Sequence, residues 1–309
     1  MLPFKLIYSE GYNLNLGEHV FPAIKYQMIR EKLLADRLAA PEDFLEPAPA
    51  SDDDVSLVHH LEYVNKLKQG RLSYAELQRL EIPYSEKMVE AFWLSAGGSI
   101  LAARQALQTG AAVNIGGGFH HAFPDHGEGF CAIHDVAIAV RRLQKDADIK
   151  RAAVVDCDVH QGNGTAAIFG GDQTVFTLSL HQENNYPQPK PPSSLDVNLP
   201  DGTEDAEYLR LLEQALEIAL ANGAGNAAGD PGPVDMVFYV AGADPFCQDQ
   251  LGGLALTKEG LKKRDTMVFA AARRRGMPVM VTFAGGYARR VEDTVEIHVN
   301  TIRALREAL

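Results

Sequence analysis

Short apolar segments alternate with longer amphipathic segments along this chain, and this alternation constrains the fold more than any other feature. The apolar segments have the length of buried strands, and the longer segments have helical periodicity. Parallel strands need a crossover between them, which is usually a helix. The alternation therefore predicts an α/β fold in which helices flank a parallel sheet. We expect one domain over residues 1–309, because no linker or internal repeat divides the chain.

The predicted elements have these bounds. The predicted strands are 5–8, 111–115, 152–155, 174–180, 236–241 and 279–283. The predicted helices are 22–38, 86–107, 135–144, 206–222, 257–275 and 289–309. Two segments rich in glycine or proline, 182–194 and 222–233, are predicted to be loops, the first of them near a pocket rim.

Five of the predicted strands run directly into unusual polar or glycine-rich clusters. These clusters are GGGFHHAF after 111–115, DCDVHQGNG after 152–155, His181 after 174–180, GADPF after 236–241 and AGGYARR after 279–283. In open α/β sheets, ligands bind outside the carboxyl ends of the strands. We therefore expect these distant pieces to form one site.

The strand 152–155 leads to Asp156, Asp158 and His160, which are spaced two residues apart. An extended chain directs alternate residues to one side, so these groups can converge. Carboxylate and imidazole together suit zinc and similar divalent metals. Asp244, after another strand, is the best third ligand. Alone, such residues would more often be a solvated carboxylate, a hydrogen-bonded core histidine and a turn residue before proline.

The adjacent histidines His120 and His121 follow three glycines and suit proton transfer at neutral pH. Asp156 is a candidate to orient one of the two rings. Tyr287, after two glycines, is a candidate donor to the oxyanion that forms when water adds to a carbonyl. A tyrosine without such neighbours is more often a packing residue.

Composition narrows the possible partners and location. The formal net charge of −12 argues against nucleic-acid binding, which needs a basic surface, and is compatible with a cationic substrate. The start of the chain lacks the pattern of a signal peptide, and no apolar stretch approaches membrane-spanning length. The three cysteines contain no CxxC pair. We expect a cytoplasmic protein without a membrane partner, and the oligomeric state stays open.

Taken together, these segments resemble the histone deacetylase family over most of the chain. The motifs GGGFHHA, GFCAIHDVAIA, VDCDVHQGNGT, TLSLH, GADPFCQDQLGGL and FAGGY have that family's order and approximate spacing. GGGFHH, HQGNG, DGTEDAEYL and GLKKRD look most like the class IV branch and its bacterial relatives. The resemblance implies an arginase/deacetylase-like fold with an eight-stranded parallel sheet.

The resemblance also implies residue roles. Zinc would be held by Asp158, His160 and Asp244. His121 would be the general base and then acid, and His120, paired to Asp156, would give electrostatic support. Tyr287 would polarise the acyl carbonyl. Gly129, Phe130 and Leu251 would line an acyl-lysine tunnel. A structural potassium ion would involve Asp156, Ser179 and the backbone carbonyls of Asp158, His160 and Leu180.

Three positions depart from the family pattern. Asn163 stands where several branches have an aspartate that pairs with the second histidine, which puts the basicity of His121 in question. His134 occupies a position that is commonly asparagine. The loop 182–194 lacks the usual phenylalanine pattern, so the second tunnel wall has no assigned residue except, as a guess, Tyr186.

The sequence therefore predicts a zinc-dependent hydrolase that removes an acyl group from acylated lysine or a related acylated amine. Ferrous iron is an alternative metal because the same ligands accept it. Alternative functions are deacetylation of acetylpolyamines, a non-catalytic acyl-lysine binding module, and a binuclear manganese ureohydrolase. The last needs more bridging carboxylates than the sequence provides. Acyl-chain length stays open.

Overall fold

A parallel sheet of eight strands forms the centre of the molecule in the computed structural model, which describes residues 1–221 and 233–309. The strands are β1 (Lys5–Ile7), β2 (Phe44–Leu45), β3 (Ala111–Asn114), β4 (Ala152–Asp156), β5 (Val175–Gln182), β6 (Leu195–Leu199), β7 (Met236–Val240) and β8 (Val279–Thr282). Their order is β2-β1-β3-β8-β7-β4-β5-β6, and every neighbouring pair is parallel. The predicted α/β fold with an eight-stranded parallel sheet is confirmed.

Ten α-helices are found in the described part of the chain. They are α1 (Lys25–Ala35), α2 (Asp52–Val55), α3 (Leu61–Lys68), α4 (Tyr74–Leu80), α5 (Glu86–Thr109), α6 (Asp135–Lys145), α7 (Asn163–Phe169), α8 (Asp205–Ala221), α9 (Lys258–Arg274) and α10 (Val291–Ala308). None of the helices within this part is both long and apolar enough to cross a bilayer.

The central strands β3, β4, β7 and β8 are buried along their whole length. Successive side chains of a strand point to opposite faces, and here the two faces belong to two separate apolar clusters. Val155 packs in the cluster with α8, α9 and α10, whereas Val154 packs in the cluster with α5 and α6. Helices on both faces explain why these strands are continuous apolar runs.

Local capping places the helices that lead to and from the sheet. Ser85 accepts a hydrogen bond from the backbone N–H of Met88 and starts α5, which ends at Gly110 with a positive φ of 89°. The chain then enters β3 directly. His134 caps α6, because its side chain accepts the N–H of Ala137.

The structure adds elements that the sequence pattern did not predict. β2 and β6 lie at the two edges of the sheet, and the short helices α2, α3, α4 and α7 were also missed. β5 extends to Gln182, so His181 lies inside this strand and not after it. The predicted loop 222–233 lies outside the described residues except for its last residue.

Candidate active site

The carboxyl ends of the adjacent strands β3, β8, β7 and β4 meet at one edge of the sheet. The segments after these four strands carry the residues proposed from the sequence. These residues are His120 and His121 after β3, Asp158 and His160 after β4, Asp244 after β7 and Tyr287 after β8. All six are buried, and the structure brings them together as expected.

Asp158, His160 and Asp244 form a tight cluster. One ligand atom from each residue lies within 4.8 Å of the others. His160 Nδ1 is 3.0 Å from Asp158 Oδ1 and 3.4 Å from Asp244 Oδ2. Asp244 Oδ2 is buried without a hydrogen-bond partner. A buried carboxylate oxygen without a partner is costly, so this atom fits the role of a cation ligand.

Backbone N–H groups hold both carboxylates in place. Gly285 donates to Asp158 Oδ2 at 2.8 Å, and Val159 donates to Asp244 Oδ1 at 2.8 Å. A Cβ at residue 285 would lie 1.9 Å from Asp244 Oδ2, so only glycine allows this close approach. The oxygen and nitrogen donor set, held in this cradle, fits one divalent cation such as zinc.

The two buried carboxylates of the cluster attract positive charge, and they shift the pKa values of the residues around them. Burial and the nearby charge of Asp158 raise the pKa of Asp244 to about 7. Burial alone would lower the pKa of His160, but its hydrogen bond to Asp158 and the nearby carboxylate of Asp244 outweigh burial and raise it to about 10. A cation held between these two buried carboxylates would balance their charge.

The two histidines of the pair have different partners. His120 Nδ1 lies 2.7 Å from Asp156 Oδ2, and His121 Nδ1 lies 2.7 Å from Asn163 Oδ1. Burial opposes charge on His120, yet the carboxylates of Asp156 and Asp158 raise its pKa to about 9. Burial and the charge of His120 lower the pKa of His121 well below its usual value. At neutral pH these opposite shifts favour a charged His120 and a neutral His121.

Tyr287 lies on another side of the same cavity. Its ring packs edge-on against Phe130 at 6.0 Å between centroids and lies 6.5 Å from the ring of His160. Burial and the charge of Asp158 raise the pKa of Tyr287 well above its usual value, so the hydroxyl keeps its proton. Asp249 Oδ2 accepts the backbone N–H of Tyr287 at 2.7 Å and fixes this residue.

A buried lysine lies behind Tyr287. Lys25 Nζ donates to the carbonyl of Ala284 at 2.6 Å and lies over the rings of Phe21, Tyr26 and Tyr287. Burial lowers the pKa of Lys25 to about 8. This cation supports the backbone of the β8 segment next to the two carboxylates of the cluster.

Gly129 and Phe130 line the cavity that contains both histidines and Tyr287. Phe130 adopts a positive φ of 68°, a strained conformation for a bulky residue, which often occurs at functional sites. Tyr186 of the loop 182–194 faces His121 edge-on, with 5.0 Å between the ring centroids. Leu251 does not line this cavity, and its backbone bonds to Asp249 and Asn185.

An apolar cavity adjoins this one. The two share Phe21, Gly117, Phe119 and Phe130, and the second continues to the side chains of Leu14, Leu16, Tyr26, Ile82 and Phe92. The second cavity is thus lined mainly by aliphatic and aromatic groups.

Ser179 and Leu180 lie in β5, beside β4, and Ser179 pairs in register with Asp156. The hydroxyl of Ser179 is 2.9 Å from His181 Nδ1, which gives His181 the partner that the sequence did not reveal. Both residues are thus next to the strand that carries the cluster.

Comparison with known proteins decides the family. The family profile described as "Histone deacetylase domain" matches residues 19–302, which is most of the chain. The chain belongs to the histone deacetylase family. This confirms the resemblance noted in the sequence.

Relatives of this histone deacetylase family member support the assignment. An uncharacterized protein of Picosynechococcus sp. is 39% identical over 98% of this chain and 99% of its own length. Histone deacetylase 2 of Arabidopsis thaliana is 32% identical over 94% of this chain and 77% of its own length. The crystal structure of an HDAC homologue complexed with SAHA superposes with a TM-score of 0.81, covering 99% of this chain and 84% of that chain, at 24% identity. This last likeness shows the shared fold.

Three residues of the site were not assigned from the sequence. Glu128 bonds to Asn163 and Tyr186. Asp249 accepts the backbone N–H of Tyr287, and Lys25 lies over the Tyr287 ring. Lys25 is in a helix and Glu128 in a loop, where charged residues are usually solvated. Only their tertiary neighbours distinguish them from surface charges.

Proposed function

We propose that residues 1–309 form a zinc-dependent catalytic domain that hydrolyses the amide of an acylated lysine or a related acylated amine. The observation that carries this proposal is the buried cluster of Asp158, His160 and Asp244 next to a neutral histidine, His121. A pure binding module needs no proton acceptor beside such a cluster. Within the described residues this is the single cluster of its kind, which favours a mononuclear site over a binuclear one.

Asp158, His160 and Asp244 would hold the metal. When bound, zinc acts as a Lewis acid towards a carbonyl oxygen and makes water more acidic. Ferrous iron suits the same ligands. A potassium ion near Ser179 and Leu180, with Asp156, remains part of the proposal, because these residues lie beside the strand that carries the cluster.

His121 and Tyr287 would perform the proton transfer and the oxyanion stabilisation. His121 bonds through Nδ1 to Asn163, so its Nε2 accepts the proton of the attacking water and then passes it to the leaving amine. Tyr287 donates its hydroxyl proton in a hydrogen bond to the acyl oxygen as negative charge develops there. His120, charged through Asp156, adds positive charge to the same region.

Gly129 and Phe130 with Tyr186 would flank the acyl-lysine chain, and Leu251 would lie further out. The adjoining apolar cavity supports testing acyl groups longer than acetyl. We place the chain nearest to the class IV branch and its bacterial relatives, on the motifs GGGFHH and HQGNG.

The test is turnover of a matched panel of acetyl-, octanoyl- and myristoyl-lysine peptides with acetylputrescine, with and without a hydroxamate chelator. We expect hydroxamate-sensitive cleavage, and the ranking within the panel identifies the substrate class. A metal-loaded protein that cleaves no member would contradict the proposed activity and favour the binding module.

The control is Asp244→Ala. We expect this variant to lose stoichiometric metal and all turnover, because one of the three ligands is removed. Plasma emission spectrometry measures the metal content. One ion per chain in this variant would show that Asp244 is not the third ligand.

A further inference from the structure

Glu128 directly precedes Gly129, which lines the cavity with the histidine pair, and the Glu128 side chain is 19% exposed. Its Oε1 accepts two hydrogen bonds, from Asn163 Nδ2 at 2.7 Å and from the hydroxyl of Tyr186 at 2.5 Å. Its Oε2 lies 3.4 Å from His126 Nε2. Burial opposes ionisation, but hydrogen bonds from His126, Tyr186 and Asn163 lower the pKa of Glu128 overall. The ionised carboxylate can only accept hydrogen bonds.

This carboxylate determines the orientation of the Asn163 amide. The two ends of an amide have nearly the same shape but opposite hydrogen-bonding roles. Glu128 needs a donor, so Nδ2 of Asn163 must face it. The backbone N–H of Gly164 donates to Oδ1 of Asn163 at 3.1 Å and favours the same orientation. The oxygen of the amide is therefore the atom that faces His121.

The orientation of the amide in turn determines the tautomer of His121. An oxygen at 2.7 Å from Nδ1 requires a proton on Nδ1, so the lone pair of the neutral ring is on Nε2. The flipped amide would present its NH₂ group and move the ring proton to Nε2. That tautomer has no lone pair on the atom that accepts the proton of water.

We propose that Glu128 is a positioning residue that selects the active tautomer of His121 through the amide of Asn163. The inference rests on the proposed role of His121 as the base. The same oxygen of Glu128 holds Tyr186, whose ring lies edge-on to His121 at 5.0 Å, so one carboxylate aligns the base and the tunnel wall.

The first test compares Glu128→Ala with Glu128→Gln in the metal-loaded enzyme. Glutamine keeps an acceptor oxygen for Asn163 and Tyr186, whereas alanine does not. We expect Glu128→Ala to lower kcat by about 10-fold or more, since a charge-assisted hydrogen bond is lost, and Glu128→Gln to recover most of that loss. The matched control is Asp125→Asn. Asp125 is an exposed carboxylate that pairs with His126, so its substitution should leave kcat unchanged. Equal kcat values for the alanine and glutamine variants would overturn the proposal.

The second test uses Asn163→Asp, because both oxygens of an aspartate accept hydrogen bonds and no flip is possible. With Glu128 present, this substitution places two carboxylates about 2.7 Å apart and should lower kcat. With Glu128→Ala, the same substitution should raise kcat, because it restores an acceptor for Nδ1. A general structural role of Glu128 predicts additive effects instead, so the same sign in both backgrounds would contradict the proposal.

A readout independent of turnover is the ¹⁵N chemical shift of the His121 ring, assigned with a His121 variant. We expect a proton on Nδ1 in the wild type and in Glu128→Ala/Asn163→Asp, and a mixture of tautomers in Glu128→Ala. An unchanged tautomer in Glu128→Ala would overturn this inference alone. If the wild type cleaves no substrate, the proposed function fails, but the ring shifts still decide the role of Glu128.

Discussion

His120 and His121 are neighbours in the chain, both are buried, and their ring centroids lie 4.0 Å apart, yet their pKa values are shifted in opposite directions. His120 pairs with the carboxylate of Asp156, and His121 pairs at the same distance with the amide of Asn163. The two partner side chains have nearly the same shape and differ in charge. Burial disfavours charge on both rings, so the partner decides which ring is protonated. One ring can thus supply charge while the other accepts a proton.

The strongest test of this comparison is to remove each ring. We expect His121→Ala to lower kcat by about 10²–10⁴-fold, the usual contribution of a general base. His120→Ala should lower kcat less, because a charged ring contributes electrostatically and accepts no proton. Steady-state turnover of the best substrate measures both. A larger loss of kcat in His120→Ala than in His121→Ala would make His120 the general base and His121 the electrostatic support.

Tyr287→Phe shows whether the charge of His120 suffices to stabilise the acyl oxygen. We expect kcat to fall by about 10²–10³-fold, since an oxyanion donor is lost. Metal content should stay at the wild-type level, because Tyr287 is not a proposed ligand. Near wild-type turnover would show that the imidazolium stabilises the oxyanion without the phenol.

Asp156→Asn makes the partner of His120 resemble that of His121. We expect kcat to fall by roughly 10- to 100-fold, the range of a charge-assisted hydrogen bond. Asp156 Oδ1 also accepts the N–H of Asp158, so metal content must be measured in parallel. An unchanged kcat with full metal content would show that charge on His120 is not needed.

His59 extends the comparison to a ring whose partners are backbone groups. Its Nδ1 bonds to the carbonyl of Phe123, its Nε2 accepts the N–H of His134, and burial lowers its pKa from 6.5 to about 4. Below pH 6.5 the unfolded chain binds a proton here that the folded chain does not, so stability is lost as the pH falls from 6.5 towards 4. We expect His59 to account for about 2 kcal/mol of lost unfolding free energy between pH 7 and pH 5.

Urea unfolding at the two pH values measures this effect, with His59→Gln as the control. Glutamine binds no proton in either state, so the variant should lose about 2 kcal/mol less than the wild type over the same interval. The same pH dependence in both proteins would assign the effect to other buried histidines.

The outer strands show why sequence patterns found only part of the fold. β3, β4, β7 and β8 are covered on both faces and form continuous apolar runs, which a sequence reveals. β2 has two residues, and β6 is largely half-exposed at the edge of the sheet, so neither gives a periodic pattern. The short helix α7 starts beside the cluster at Asn163 and carries glycine, where helix propensity is weak.

The candidate site, like the fold, was predictable from the sequence only in part. Asp158, His160, Asp244 and the histidine pair follow strands, and the rule that ligands bind at the carboxyl ends of a parallel sheet was enough to predict their convergence. The sequence by itself therefore determined the sheet class, the edge that carries the site and the residue types available for chemistry. These features depend on local spacing and on the period of the strand.

Only the tertiary structure decided how the chemistry is distributed among these residues. The Asp156–His120, Asn163–His121 and Glu128–Asn163 pairs join residues that are 36, 42 and 35 positions apart. Protonation depends on the distances between charged groups and on their burial, and no local sequence pattern carries that information. Glu128 illustrates the limit, since a glutamate between two glycines acquires its role from two partners that folding brings to one oxygen.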